Sequence, residues 1–269
     1  MRTICFYSDY GYMDDFVGVC HGVIKRVAPA VEVIDVTHGI SRQDVLGAAF
    51  VLRNTLSYMP DRAVHLAVVD PTVGGPRRAV ALRSRGDRLF VGPDNGLLML
   101  AAEADGGVTE AFELTNAELW LTPLSATFHG RDVFSPVAAR LAVGLSLDAV
   151  GARVDPETLV SLRLPAPEQS DGGLTAVAVL VDRFGNVALN LSAEQLDLAQ
   201  IGSRVEVVCG DERYLARVVP TFTSVRPSDI IVLIDSYGQV EIAVSAGSAA
   251  EVLSLAPGDQ VTILPLADD

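Results

Sequence analysis

The chain has 269 residues, a formal net charge of −14 and 49% apolar residues. Its acidity argues against nucleic-acid binding, which needs clustered Lys and Arg, and no apolar run approaches the roughly 20 residues that span a bilayer. Charges at Arg2 and Asp9 come too early for a signal peptide, so a cytoplasmic protein is expected.

Residues 3–8 form an apolar, β-leaning run that ends at Ser8-Asp9-Tyr10-Gly11. Helical spacing follows over 15–28, with Phe16, Val19, Val23, Ile24 and Val27 on one side. A strand is predicted at 31–36. Ser41 and Asp44 suggest a capping box before a helix that runs to about Tyr58. A strongly apolar strand at 64–69 ends on Asp70. Strands fit 78–84 and 88–92, and helices fit 96–104 and 132–143. This alternation predicts an α/β domain over 1–165, built on a mostly parallel sheet.

Residues 166–173 are rich in Pro, Gly and polar side chains and read as a linker. From 174 to 269 the chain is mainly β, with strands predicted at 175–182, 204–209, 213–219, 230–235, 239–244 and 260–264. One short helix fits 193–200. A smaller β-barrel domain is expected there. Cys5, Cys20 and Cys209 are odd in number and far apart, which suits buried thiols rather than disulfides or a zinc knuckle.

Ligands of open α/β sheets sit beyond the carboxyl ends of the strands. Asp9 and Asp70 fall at such ends, where a carboxylate can accept from sugar hydroxyls or pair with a cation, or simply cap a turn. Asp14 and Asp15 suit a helix N-terminus, and no spacing around them predicts a metal site. The segment from Asp70 to Arg78 puts a carboxylate and a guanidinium on one tight loop, either an ion-paired turn or a site. His129 opens a helix, where a lone histidine is more often structural than catalytic, and His21, His38 and His65, inside elements, read still more as structural. In the second domain Asp182, Phe184 and Asn186 suit a purine or an amino acid, or a plain β-turn. Asp235 to Gly238 reads as a hairpin turn. Local chemistry alone thus predicts a ligand site and no more.

Seven ordered motifs extend this reading: Ser8-Asp9-Tyr10-Gly11 with Asp14, Asp35-Val36-Thr37-His38, Val69-Asp70-Pro71, Pro93-Asp94-Asn95-Gly96, Thr127-Phe128-His129-Gly130-Arg131-Asp132, Asp182 with Phe184-Gly185-Asn186, and Ser236 with Glu241-Ile242-Ala243. Together they resemble those of the S-adenosylmethionine hydroxide adenosyltransferases, relatives of fluorinase and chlorinase. The resemblance implies an α/β N-terminal domain, a β-barrel C-terminal domain, and homotrimers whose sites lie between the N-terminal domain of one subunit and the C-terminal domain of the next. It assigns Asp9 to the ribose hydroxyls. Asp14, Asp182 and Ser236 go to the methionine part. Phe222, Asn186, Phe184 and the backbone near Ala246 go to adenine. Thr127, Phe128 and Glu241 belong to the same substrate site. Asp70, Arg77 and His129 would face C5′ of the ribose, where the halogenating relatives carry tyrosines in place of Asp70 and His129. A serine that helps hold fluoride in the fluorinase falls at Gly130, and the chlorinase has glycine there. Tyr10, Ser8 and Tyr237 depart from the family's usual residues.

The implied reaction is hydrolysis of S-adenosylmethionine to adenosine and methionine. Asp70 and His129 would accept hydrogen bonds from the attacking water, and Arg77 would fix Asp70. No cofactor or metal is expected. Two alternatives remain at this stage: a chloride-using halogenase, and a non-catalytic protein that binds S-adenosylmethionine or adenosine.

Overall fold

The computed structural model describes residues 1–170, 172–199 and 201–266 and divides into two compact units, Met1–Leu162 and Arg163–Asp269. Among the described residues no helix is long and apolar enough to cross a membrane.

The first unit holds strands β1 (Ile4–Ser8), β2 (Val33–Thr37), β3 (Val64–Val68), β4 (Ala79–Ser84), β5 (Leu89–Pro93), β6 (Val108–Glu113) and β7 (Arg153–Val154), with helices α1 (Phe16–Val27), α2 (Val45–Thr55), α3 (Met99–Ala104) and α4 (Ser135–Ala142). The sheet order is β2-β1-β3-β5-β4-β6-β7, and the first four of these run parallel. β1, β3 and β5 are buried along their whole length, which explains their near-continuous apolar sequence. The two-residue period of a strand sorts their side chains. Ile4, Phe6, Val64 and Leu66 join a core with α1 and α4, whereas Cys5, Tyr7, Ala67 and Val69 join one with α2 and α3.

From β1 the chain passes to β2 on one side and then to β3 on the other. The crevice where such a sheet reverses its winding is where α/β proteins place ligands. Ser8 and Val68 are register partners at the ends of β1 and β3, so Asp9 and Asp70 leave the sheet side by side.

The boundaries differ from expectation in informative ways. Asp44, not Ser41, caps α2, accepting from the Gly47 N–H at 2.8 Å. The helix ends at Thr55 and tightens into a 3₁₀ turn over Leu56–Tyr58. A π turn over Gly130–Phe134 precedes α4 and starts the chain's turning just after His129. The strands β6 and β7 have no counterpart in the sequence reading.

The second unit holds β8 (Glu168–Ser170), β9 (Gly173–Val181), β10 (Val187–Ser192), β11 (Arg204–Cys209), β12 (Glu212–Val218), β13 (Ile230–Ile234), β14 (Gln239–Val244) and β15 (Gln260–Pro265), with short helices α5 (Ala193–Leu198) and α6 (Ala249–Val252). Strands β9 to β15 close into a seven-stranded barrel, in which only β12 and β13 pair in parallel. The unpredicted strand β10 makes the closure, bonding β9 on one side and β14 on the other. Glu168–Ser170, expected in a linker, pair with β9 as a short strand. Burial raises the thiols of Cys5, Cys20 and Cys209 to pKa values of about 12, 11 and 11, and all three cysteines are unpaired.

Leu189 lies fully buried at the middle of β10, in the barrel core. Leu189→Ala should cost about 2–5 kcal/mol in urea denaturation, from lost burial and the cavity left behind. Leu215→Ala, at a 72% exposed site on β12, should stay within about 0.5 kcal/mol.

Candidate active site

The loop after β3 carries Asp70 and Arg77, and the chain before the π turn carries His129. The structure brings all three together. Arg77 Nε donates to Asp70 Oδ2 at 3.0 Å and Oδ1 at 3.2 Å, and Arg77 Nη2 reaches His129 Nδ1 at 2.8 Å. The side chains of Asp70 and Arg77 are 5% and 9% exposed. Arg77 Cζ lies 5.3 Å from the centre of the Phe134 ring, which backs the guanidinium. A guanidinium only donates. His129 Nδ1 must therefore accept, and the ring proton sits on Nε2. Burial, and then the charge of Arg77, hold the His129 pKa below its ordinary value, so the imidazole is neutral. Its free nitrogen, Nε2, then carries a proton to donate, whereas the sequence expectation has His129 accept from water.

The loop that holds Asp70 and Arg77 is pinned at both ends. Asn95 Nδ2 donates to the Val69 carbonyl at 2.9 Å, just before Asp70. Asp94 accepts from Arg78 Nε at 2.7 Å, just after Arg77, and from the Val160 N–H at 2.9 Å. Between them Gly74 has φ +76°, and a Cβ there would meet the Ala126 carbonyl oxygen at 2.2 Å. Only glycine lets the loop lie this close to the segment that leads to His129. Asp132, 1% exposed, fixes that segment in turn, accepting from the Ser125 N–H at 2.8 Å and pairing with Arg131.

A cleft of about 190 Å³ opens beside the trio, lined among others by Asp9, Asp70, Thr127, Phe128, His129 and Gly130. Asp9 Oδ2 accepts from the Gln43 N–H at 2.9 Å, which leaves acceptor capacity for a ligand. Asp14 is exposed and does not line this cleft. Tyr10 and Gln43, which the sequence reading did not place in a site, do line it. Tyr10 is the more consequential. A Cβ on residue 130 would lie 2.0 Å from its hydroxyl oxygen, so a serine at 130 and this Tyr10 conformer exclude each other. Burial, helped by Cys20, Asp9 and Asp70, keeps the Tyr10 phenol protonated, well above its ordinary pKa.

In the second unit Asp182, Phe184, Asn186, Phe222, Ser236, Glu241 and Ala246 all line one cleft of about 860 Å³. The turn reading of Asp182 also holds. Its Oδ1 accepts from the Phe184 and Asn186 N–H groups at 2.8 and 2.9 Å, and its Oδ2 from Asn186 Nδ2 at 3.2 Å. Asp235 tightens the facing hairpin through the N–H groups of Tyr237 and Gln239, and it lines the cleft too, which the turn reading missed. Phe184 and Phe222 are 72% and 43% exposed, apolar faces offered to a flat ligand. Three carboxylates share this cleft. Burial and the charges of Asp182 and Asp235 raise Glu241 to a pKa of about 7. Elsewhere, the buried His65 stacks on Phe90 at 5.1 Å and is held neutral, with its pKa at about 3, which bears out its structural reading.

Sequence models of the SAM hydroxide adenosyltransferase N-terminal and C-terminal domains match residues 4–151 and 176–262. The chain belongs to the SAM hydroxide adenosyltransferase family. An (R)-S-adenosyl-L-methionine hydrolase of Salinispora tropica is 49% identical to it, over 97% of each chain. A fluorinase of an Actinoplanes strain is 28% identical, over 97% of this chain and 96% of its own. The crystal structure of an uncharacterized conserved protein from Thermotoga maritima superposes with a TM-score of 0.90 at 37% identity, covering 97% of this chain and all of that one. Both matched domains of this family member thus carry one of the two clefts.

Glu241 gives a test of the charge crowding. Its ordinary pKa is 4.5 and folding raises it to about 7. An acid shifted upward stabilises the fold below the lower value, and that contribution is lost as pH climbs through the higher one. The ligand-free protein should therefore lose melting temperature between pH 4.5 and about 7, and Glu241→Gln should flatten that slope. Superimposable Tm–pH curves would remove the shift.

Proposed function

We propose that this protein hydrolyses S-adenosyl-L-methionine to adenosine, L-methionine and a proton. The observation that carries the reading is Arg77 donating at once to Asp70 and His129 beside a cleft that also holds Asp9. Asp9 takes the ribose diol and so sets C5′ before the trio. Water attacks C5′ in line with the departing sulfonium, the new C–O bond forming as the C–S bond breaks. Methionine leaves as a neutral thioether and needs no acid. One lone pair of the water attacks, the other accepts from His129 Nε2–H, and one of its protons is directed at Asp70. Bulk water has a pKa of about 15.7, but its protons become strongly acidic as its oxygen bonds to carbon. A carboxylate already paired with Arg77 is then base enough, taking the proton late and passing it to solvent. No step is routed through a cofactor or a metal.

The second cleft suits the rest of the substrate. Asp182, Asp235 and Glu241 meet positive charge, Ser236 adds a hydroxyl for the methionine part, and Phe184, Phe222, Asn186 and the backbone at Ala246 take adenine. The first cleft is smaller than the roughly 300 Å³ at which small-molecule pockets begin, so it suits the reacting end alone. We extend the proposal to a homotrimer in which the first cleft of one subunit is completed by the second cleft of another. The compartment is the cytoplasm, in keeping with three unpaired thiols.

In ¹⁸O-labelled water, label should appear in the adenosine 5′-hydroxyl, with adenosine and methionine formed in equal amounts. Asp70→Asn should lower kcat by about 10²–10⁴-fold with little change in KM. A chloride-dependent nucleoside product, or thermal stabilisation by substrate without turnover, would overturn the hydrolase reading. Co-expressing Asp70→Asn with Asn186→Ala, each inactive alone, should restore part of the activity if the two clefts come from different subunits. No recovery would place both halves of each site in one chain.

A further inference from the structure

We propose that His21, Asp35 and His38 form a binding site for a divalent transition metal of the Zn²⁺ class. The three residues come from two adjoining elements: His21 from α1, Asp35 from β2, and His38 from the position directly after β2. His21 Nε2 lies 2.7 Å from Asp35 Oδ1, and His38 Nε2 lies 3.1 Å from the same oxygen. One ligand atom from each residue falls within 4.8 Å of the other two, the only such cluster among the described residues. Bonds of about 2.0–2.2 Å to a central ion place neighbouring ligand atoms about 3–3.5 Å apart. The two contacts to Asp35 Oδ1 would open by less than an ångström.

His38 supplies the independent argument. Its side chain is fully buried, and its Nε2, 3.1 Å from Asp35 Oδ1, makes no well-aligned hydrogen bond. Its other nitrogen, Nδ1, is 2.7 Å from Ser8 Oγ. Metal-binding histidines have this arrangement: one nitrogen is held by an outer partner, which fixes the tautomer, and the other presents a lone pair. The rings of Phe6 and Tyr12 meet the imidazole edge-on at 4.6 and 5.2 Å and hold its plane. A buried nitrogen with no partner is costly, and a cation bound there would remove the cost.

The chemistry of the donors narrows the ion. Ca²⁺ and Mg²⁺ take oxygen ligands, whereas two imidazoles and one carboxylate suit Zn²⁺ and its first-row neighbours. The side chains of His21 and Asp35 are partly solvent-exposed, which gives an entry path and leaves room for water at a fourth position. The bound ion would join α1 to the end of β2 and, through Ser8, to the end of β1 that carries Asp9. It would act as a clamp on the frame of the first cleft, apart from the hydrolytic step.

The test uses the full-length protein, stripped with chelator and titrated with ZnCl₂ by calorimetry. One ion should bind per chain, raise Tm in proportion to the logarithm of its concentration above saturation, and give with Co²⁺ the visible bands of imidazole ligation. His21→Ala and Asp35→Asn, at partly exposed positions, should each abolish the site. Ser8→Ala should weaken it about 10–100-fold, and His129→Ala should leave it intact. If no ion binds, or if His21→Ala binds as tightly as the parent, the cluster is an ordinary hydrogen-bonded ion pair and the proposal falls. These readouts do not depend on turnover, so they stand apart from the hydrolase reading.

Discussion

The candidate site depends on one constraint: a guanidinium has donors and no acceptor. Because Arg77 lies between Asp70 and His129, it settles the state of both neighbours. It holds the carboxylate in a two-point pair, and it forces the imidazole to accept at Nδ1. Two groups that are each bases in isolation become one acceptor and one donor. The surroundings keep it so. Phe134 backs the guanidinium, Asn95 and Asp94 pin the loop at its two ends, and Gly74 lets it lie against Ala126. The Asp94-Asn95 motif thus serves the site by bracing it.

Placement of the trio follows from the sheet. A chain that leaves β1 for β2 and returns on the other side as β3 opens a crevice at the carboxyl ends of these strands. The sequence shows this directly, because strongly apolar runs that end on Asp9 and Asp70 can be read without a structure. Other parts were not legible, for physical reasons. β10 carries Asn190 among its apolar residues, and the alternation looks broken. In the fold that side chain accepts from the Val177 N–H at 2.7 Å and donates to the Pro165 carbonyl, so it reinforces the barrel it seemed to interrupt. Contacts across long separations were equally hidden. Arg77 and His129 are 52 residues apart, and nothing local tells the tautomer that their contact imposes. Asp235 was read as a turn residue, and it is one. Its second role emerges only when Asp182 and Glu241 are seen in the same cleft.

The two clefts divide the electrostatic work. In the second, three carboxylates crowd together, and Glu241 answers by holding its proton to about pH 7. A cation entering there relieves the crowding, so binding and ionisation favour each other. In the first, Asp70 is neutralised by Arg77 before any ligand arrives. Positive charge on a ligand is thus favoured more by the second cleft than by the paired carboxylate of Asp70.

The same neutralisation bears on the choice between water and halide. A halide needs a donor-rich pocket with positive charge to spare. Arg77 has none, because its charge is shared with a carboxylate in contact with it. The space beside Gly130, where a serine side chain would project, is occupied by the protonated hydroxyl of Tyr10. Glycine at 130 is therefore required by Tyr10, and it does not leave a vacant anion pocket. Water, which can donate to Asp70 and accept from His129, matches the hydrogen-bonding character of both groups, whereas a halide can only accept.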